Sequence, residues 1–67
     1  MKRYVHELAL DMARSNPEIK PEIMTAYRYY EMGQAGELDT VKTIIKLVDE
    51  NHEFMNWLAN TYGDKAV

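Results

Sequence analysis

The sequence predicts an all-α fold, a small three-helix bundle with two shorter helices packed on one long C-terminal helix, and residues 1–67 read as a single helical domain. Three observations point there. Apolar residues recur at spacings of three and four, and no alternating run is long enough for a strand. The few Gly and Pro residues punctuate the chain at two breaks, Asn16-Pro17 with Lys20-Pro21 and Gly33 with Gly36, and Gly63 closes the pattern. At 67 residues and without cysteine, the chain can build one core at most and has no disulfide to reinforce it.

Helix 1 is expected from Lys2 to Ser15. Val5, Leu8, Ala9 and Met12 form one stripe at i, i+3, i+4 and i+7, with Met1 and Tyr4 beside it. It ends at Asn16 because a residue preceding proline is pushed out of the helical region. Helix 2 is expected from Pro21 to Met32. Proline at the first helical position has no amide to leave unpaired, and Ile19 can pack on Met24 as a hydrophobic staple. Its inward face is Ile23, Ala26, Tyr27 and Tyr30, and Gly33 is placed to take the left-handed C-cap conformation.

Helix 3 is expected from Asp39, a good N-cap residue, to Tyr62. Its apolar arc spans about half the circumference. Val41, Ile44, Ile45, Val48, Asn51, His52, Met55, Leu58 and Tyr62 form the expected seam, either of the core or of a dimer. Leu47, Phe54 and Thr61 widen it on one side. An arc so wide accommodates helices 1 and 2 together, or one of them and a second copy of helix 3. Asn51 is the polar residue on this face: in a coiled-coil seam it would fix register and copy number, and otherwise it caps a helical break or bonds to a helix 1 side chain. A break near Asn51, giving four short helices, is the rival architecture.

Charge and motifs exclude more than they assign. The net charge of −3 sits wholly in residues 34–67, since the first 33 residues carry five bases and five acids. Nucleic-acid binding needs clustered cations to neutralise phosphates; here the bases are scattered and outnumbered, so a nucleic-acid partner is disfavoured. No apolar run exceeds three residues, which argues against a membrane span. Lys2 and Arg3 could open a signal peptide, but His6, Glu7 and Asp11 interrupt the apolar stretch it needs, so a cytoplasmic location is the expectation.

His6-Glu7 and His52-Glu53 both begin like the HExxH zinc motif, yet the second ligand positions are Leu10 and Asn56. Asp49, His52 and Glu53 could share one helix face, but a carboxylate-histidine metal centre would need a second copy to complete it. Ser15, the only serine, stands at a helix end, and a cleft is hard to build in three helices of this size, so no catalytic residue, cofactor or metal is assigned. Tyr27 to Tyr30 mix aromatics with Arg28 as single-strand platforms do, although Tyr27 and Tyr30 belong to the inward face.

Each helix also carries large apolar residues off that face. Leu10, Tyr29, Met32 and Trp57 form the candidate partner surface. Trp57 lies opposite Val48 on helix 3, where it either meets another chain or packs under the 33–38 loop or the C-terminal tail. The expected function is therefore a non-enzymatic protein–protein interaction module. It is expected to be a homodimer through helix 3, accessory to a larger and unidentified protein partner. A helix-turn-helix-like nucleic-acid regulator and a metal-binding helical dimer are the alternatives.

Overall fold

The computed structural model of the chain describes residues 2–63, with side chains from residue 4 onward. Met1 and the 64–67 tail therefore lie outside the described residues. Three α-helices are seen among them: α1 (Lys2–Ser15), α2 (Lys20–Glu31) and α3 (Glu37–Tyr62), with a short 3-10 turn over Pro17–Ile19 joining the first two. Each helix packs on both others.

The junction between α1 and α2 follows from Asn16 and the two prolines. Asn16 leaves the helical region at φ −132°, yet its amide still donates to the Met12 carbonyl at 2.9 Å. Its side-chain Nδ2 donates to the same carbonyl at 3.0 Å, so one residue pairs the end of α1 twice. Lys20 is already right-handed helical as it closes the 3-10 turn, and α2 starts there rather than at Pro21. Pro21 consequently sits one position deeper than expected, still in the first turn where the missing amide has no intrahelical acceptor to lose. Ile19 occupies the cap position itself, and both it and Met24 pack against the core.

The turn after α2 is a Schellman closure on Gly33. Gly33 has φ +78° and donates to the Tyr30 carbonyl, while Gln34 donates to Tyr29. The start of α3 differs from the sequence expectation: Gly36, not Asp39, is the N-cap. The Thr40 amide and hydroxyl both donate to the Gly36 carbonyl, at 3.0 and 2.8 Å, which carries the helix back to Glu37. Glu37 and Asp39 then lie in the first turn, where carboxylates offset the positive helix end.

The core is small. Ala9 and Ala13 of α1, Ile23 of α2, and Ile44 and Val48 of α3 form one buried cluster, edged by Met12, Ile19, Met24, Ala26, Tyr27 and Leu47. Val5 is also fully buried. The two alanines on α1 allow its backbone to approach the others closely, and Ala13 extends the stripe expected from Val5 to Met12. Tyr4, expected beside that stripe, is instead exposed.

The helix α3 runs without interruption through Asn51, so the four-helix alternative does not describe this chain. At 1.5 Å per residue, α1, α2 and α3 are about 21, 18 and 39 Å long. The molecule accordingly measures 45 × 17 × 16 Å. Its last fully buried residue on α3 is Asn51. Residues 52–62 continue beyond the connection between α1 and α2 for about 16 Å.

Candidate interaction surface

The point where α3 leaves the bundle is fixed by a polar knot. Asn16 Oδ1 lies 3.1 Å from His52 Nε2 and accepts from Asn51 Nδ2 at 3.4 Å, and Asn51 Nδ2 also donates to Glu18 Oε1 at 3.0 Å. Asn16 and Asn51 are 3% and 8% exposed, so these amides would be costly to leave unpaired. No buried side-chain polar atom among the described residues lacks a partner. The polar position on the apolar face thus has a local use: it ties α3 to the connection between α1 and α2.

Beyond the knot, α3 carries large apolar side chains that the bundle does not cover. Phe54 and Trp57 are 54% and 53% exposed, and Met55 and Tyr62 are similarly open, while Leu58 is half-buried. Phe54 stacks on Trp57 with ring centroids 6.1 Å apart, and Tyr62 meets Trp57 edge-on at 5.9 Å. These contacts lie within one helix. Such contacts order the rings but leave their outer faces in water. Trp57 stands nineteen residues, about 28 Å, from Leu38, so the 33–38 loop is out of reach.

A second apolar feature lies between α2 and α3. Pro21, Glu22, Thr25, Ala26 and Tyr29 of α2 face Thr43 and Leu47 of α3 across an open groove of about 370 Å³. It continues past Tyr29 toward Gln34, Ala35 and Thr40. Its walls carry carboxylate, hydroxyl and phenol groups but no nucleophile paired with a base.

The remaining seam positions divide between these regions. Ile44, Val48 and Asn51 are buried in the bundle and Val41 is half-buried, whereas Ile45 is exposed on its flank. His52 is exposed at the knot, and Met55, Leu58 and Tyr62 lie on the projecting segment. Of the candidate partner residues, Tyr29 and Met32 are exposed on α2, Trp57 is exposed on the projecting end, and Leu10 is half-buried on α1. Tyr29 and Trp57 therefore stand at the groove and at the tail; the structure does not gather all four into one patch.

At the opposite end of the bundle, Tyr27 lies 3.0 Å from His6 Nδ1 through its hydroxyl and packs beside Tyr30. Partial burial raises the Tyr27 phenol above the ordinary tyrosine range, and the Glu31 carboxylate adds to this by its charge and by a hydrogen bond. A cleft of about 470 Å³ lined by Tyr27, Tyr30, Glu31, Gly33 and Ala35 adjoins the pair. A phenol held neutral here is a hydrogen-bond donor, not a base.

Among the described residues no group of three His, Cys, Asp or Glu side chains converges as a metal site, and no helix is long and apolar enough to cross a membrane. Neither a family model, nor a curated protein, nor a solved structure matches the chain.

Sequence reasoning treated Asn16 only as a chain break and missed its part in the knot. The available signal was an asparagine directly before proline, a residue type that pairs helix-end backbone groups through its own side chain. The groove was also missed. It depends on how α2 packs beside α3, which no local spacing encodes.

Proposed function

We propose that this chain is a non-enzymatic protein–protein interaction module that self-associates through α3 and acts as an accessory to a larger protein. One observation carries the reading: α3 extends about 16 Å past its last fully buried residue and exposes Phe54, Met55, Trp57 and Tyr62 there. Single exposed apolar residues are ordinary, but contiguous aromatic clusters mark contact surfaces, and Trp and Tyr are enriched where binding energy concentrates. A bundle with so few buried side chains has little reason to maintain eleven further helical residues unless something packs on them. Isolated helices of that length are marginal in water.

Light scattering tests the reading directly. The wild type should be dimeric at tens of micromolar. Phe54→Ala combined with Trp57→Ala should shift it to monomer while leaving the circular-dichroism melt of the dilute protein in place, because neither side chain is in the core. A wild type that stays monomeric across the micromolar range overturns self-association.

A further inference from the structure

We infer that the cleft at the end of α2, lined by the Tyr27 and Tyr30 rings and the Glu31 carboxylate, binds a fully methylated ammonium group carried on a small molecule or on a protein side chain. The cleft lies at the end of the bundle away from the aromatic tail, and the inference stands whether or not the chain self-associates.

One turn of helix and the reversal after it build the cleft. Tyr27, Tyr30 and Glu31 are spaced i, i+3 and i+4, which sets all three side chains on one face of α2. Gly33 then turns the chain at φ +78°, and Ala35 joins the lining. Neither Gly33 nor Ala35 has a side chain long enough to fill the space, and nothing lies within 4 Å of a Cβ built at Gly33. The volume of about 470 Å³ is in the ordinary range of small-ligand sites.

Three sources of negative potential meet there. The two half-buried phenol rings lie 6.1 Å apart, centroid to centroid, and are inclined at 37°; the faces of such rings attract cations. Glu31 adds a full charge, and among the described side chains no Lys or Arg pairs with it. The C-terminal end of α2 carries partial negative charge of its own. A carboxylate in the last turn works against that dipole, an unfavourable placement that a bound cation offsets. Burial and then the Glu31 charge raise the Tyr27 phenol, so the field of that carboxylate reaches the ring.

Few acceptors remain for a donor-rich cation. The Tyr27 hydroxyl already meets His6 Nδ1 at 3.0 Å and bonds to Glu31. A guanidinium brings five N–H donors and a primary ammonium three, most of which would lose water without replacement. A fully methylated ammonium has no donor to satisfy and is held by charge and ring contact alone.

Choline is the probe, and its neutral isostere is the alcohol in which carbon replaces the quaternary nitrogen. In an NMR titration run against an equal concentration of sodium chloride, choline should move the amide signals of Tyr30, Glu31, Gly33 and Ala35 with millimolar affinity. The Trp57 indole signal should stay in place. The neutral isostere should bind about tenfold more weakly, and Glu31→Gln and Tyr30→Leu should each weaken choline binding about fivefold. Neither side chain belongs to the buried cluster, and an unchanged circular-dichroism melt checks that both variants fold. A trimethyl-lysine peptide titrated beside choline assigns the source. Tighter binding of the peptide places the group on a protein side chain, and tighter binding of choline places it on a free small molecule.

No movement at tens of millimolar choline overturns the site. Equal binding of the neutral isostere overturns its preference for charge, and equal movement of the Trp57 indole overturns the cleft as the seat. Lys2 and Arg3 open the same helix as His6, so the titration is repeated on the Lys2→Ala, Arg3→Ala double variant. Choline binding that appears only there would mean that the chain's own cations fill the cleft, which overturns an external ligand.

Discussion

Two asparagines show how far a single residue can be read before its surroundings are known. That Asn51 occupies the apolar face of its helix follows from spacing alone. Its partners do not, because Asn16 and Glu18 are more than thirty residues away in the chain and reach it only once α1 and α2 have folded against α3. Asn16 is the more consequential of the two. It accepts from Asn51, meets the His52 ring and closes α1 on Met12, all while nearly fully buried. Asn16→Ala removes the common acceptor, leaving the buried Asn51 amide with Glu18 alone and the exposed His52 ring to water. It should cost about 2 kcal/mol, the penalty for stranding buried polar groups. Urea denaturation of dilute protein should show the midpoint falling with the slope unchanged. A loss below about 0.5 kcal/mol would mean that water substitutes at the knot.

At the level of helices and turns, legibility tracks how local the cause is. The left-handed role of Gly33 was readable because a helix that ends in glycine with a reversal after it has few other solutions, and φ +78° with both Schellman bonds is what the chain adopts. The start of α3 was misread at Asp39, since the choice between Gly36 and Asp39 depends on Thr40 turning inward, where it is buried and bonds to the Gly36 carbonyl. These two glycines therefore separate by substitution. Nothing lies within 4 Å of a methyl group built at either, so only backbone conformation distinguishes them. Gly33→Ala forces an L-residue into the left-handed region and should destabilise by about 1–2 kcal/mol. Gly36→Ala, at φ −76°, should change stability by about 0.5 kcal/mol or less, because the weaker cap is offset by a less flexible unfolded chain. Paired thermal melts of the two variants decide this, and equal losses would contradict the conformational explanation.

For the molecule as a whole, the controlling quantity is the mismatch of lengths. Helices of 14 and 12 residues cannot cover one of 26, so an uncovered end was implicit in the spacing of the Gly and Pro breaks. Which end projects follows too, because the short 32–36 connection holds the start of α3 at the end of α2; where the projection begins does not, since that depends on the Asn16 knot holding the α1–α2 connection at Asn51 and His52. Under the proposed self-association, the stability of the chain is divided between a small internal core and a surface completed by pairing. Folding and pairing are then linked, and the melting temperature should depend on protein concentration. At about 100 times the dissociation constant, linkage adds roughly 2.7 kcal/mol relative to the isolated chain, which in a domain of this size corresponds to an increase of roughly 20 °C. Serial dilution in scanning calorimetry or fluorescence melts should trace that decline and level off at the monomer value. The Phe54→Ala, Trp57→Ala double variant should melt at that lower value at every concentration. A wild-type melting temperature that stays constant over a hundredfold dilution from tens of micromolar, with light scattering showing monomer throughout, would assign all of the stability to the internal core and none to pairing.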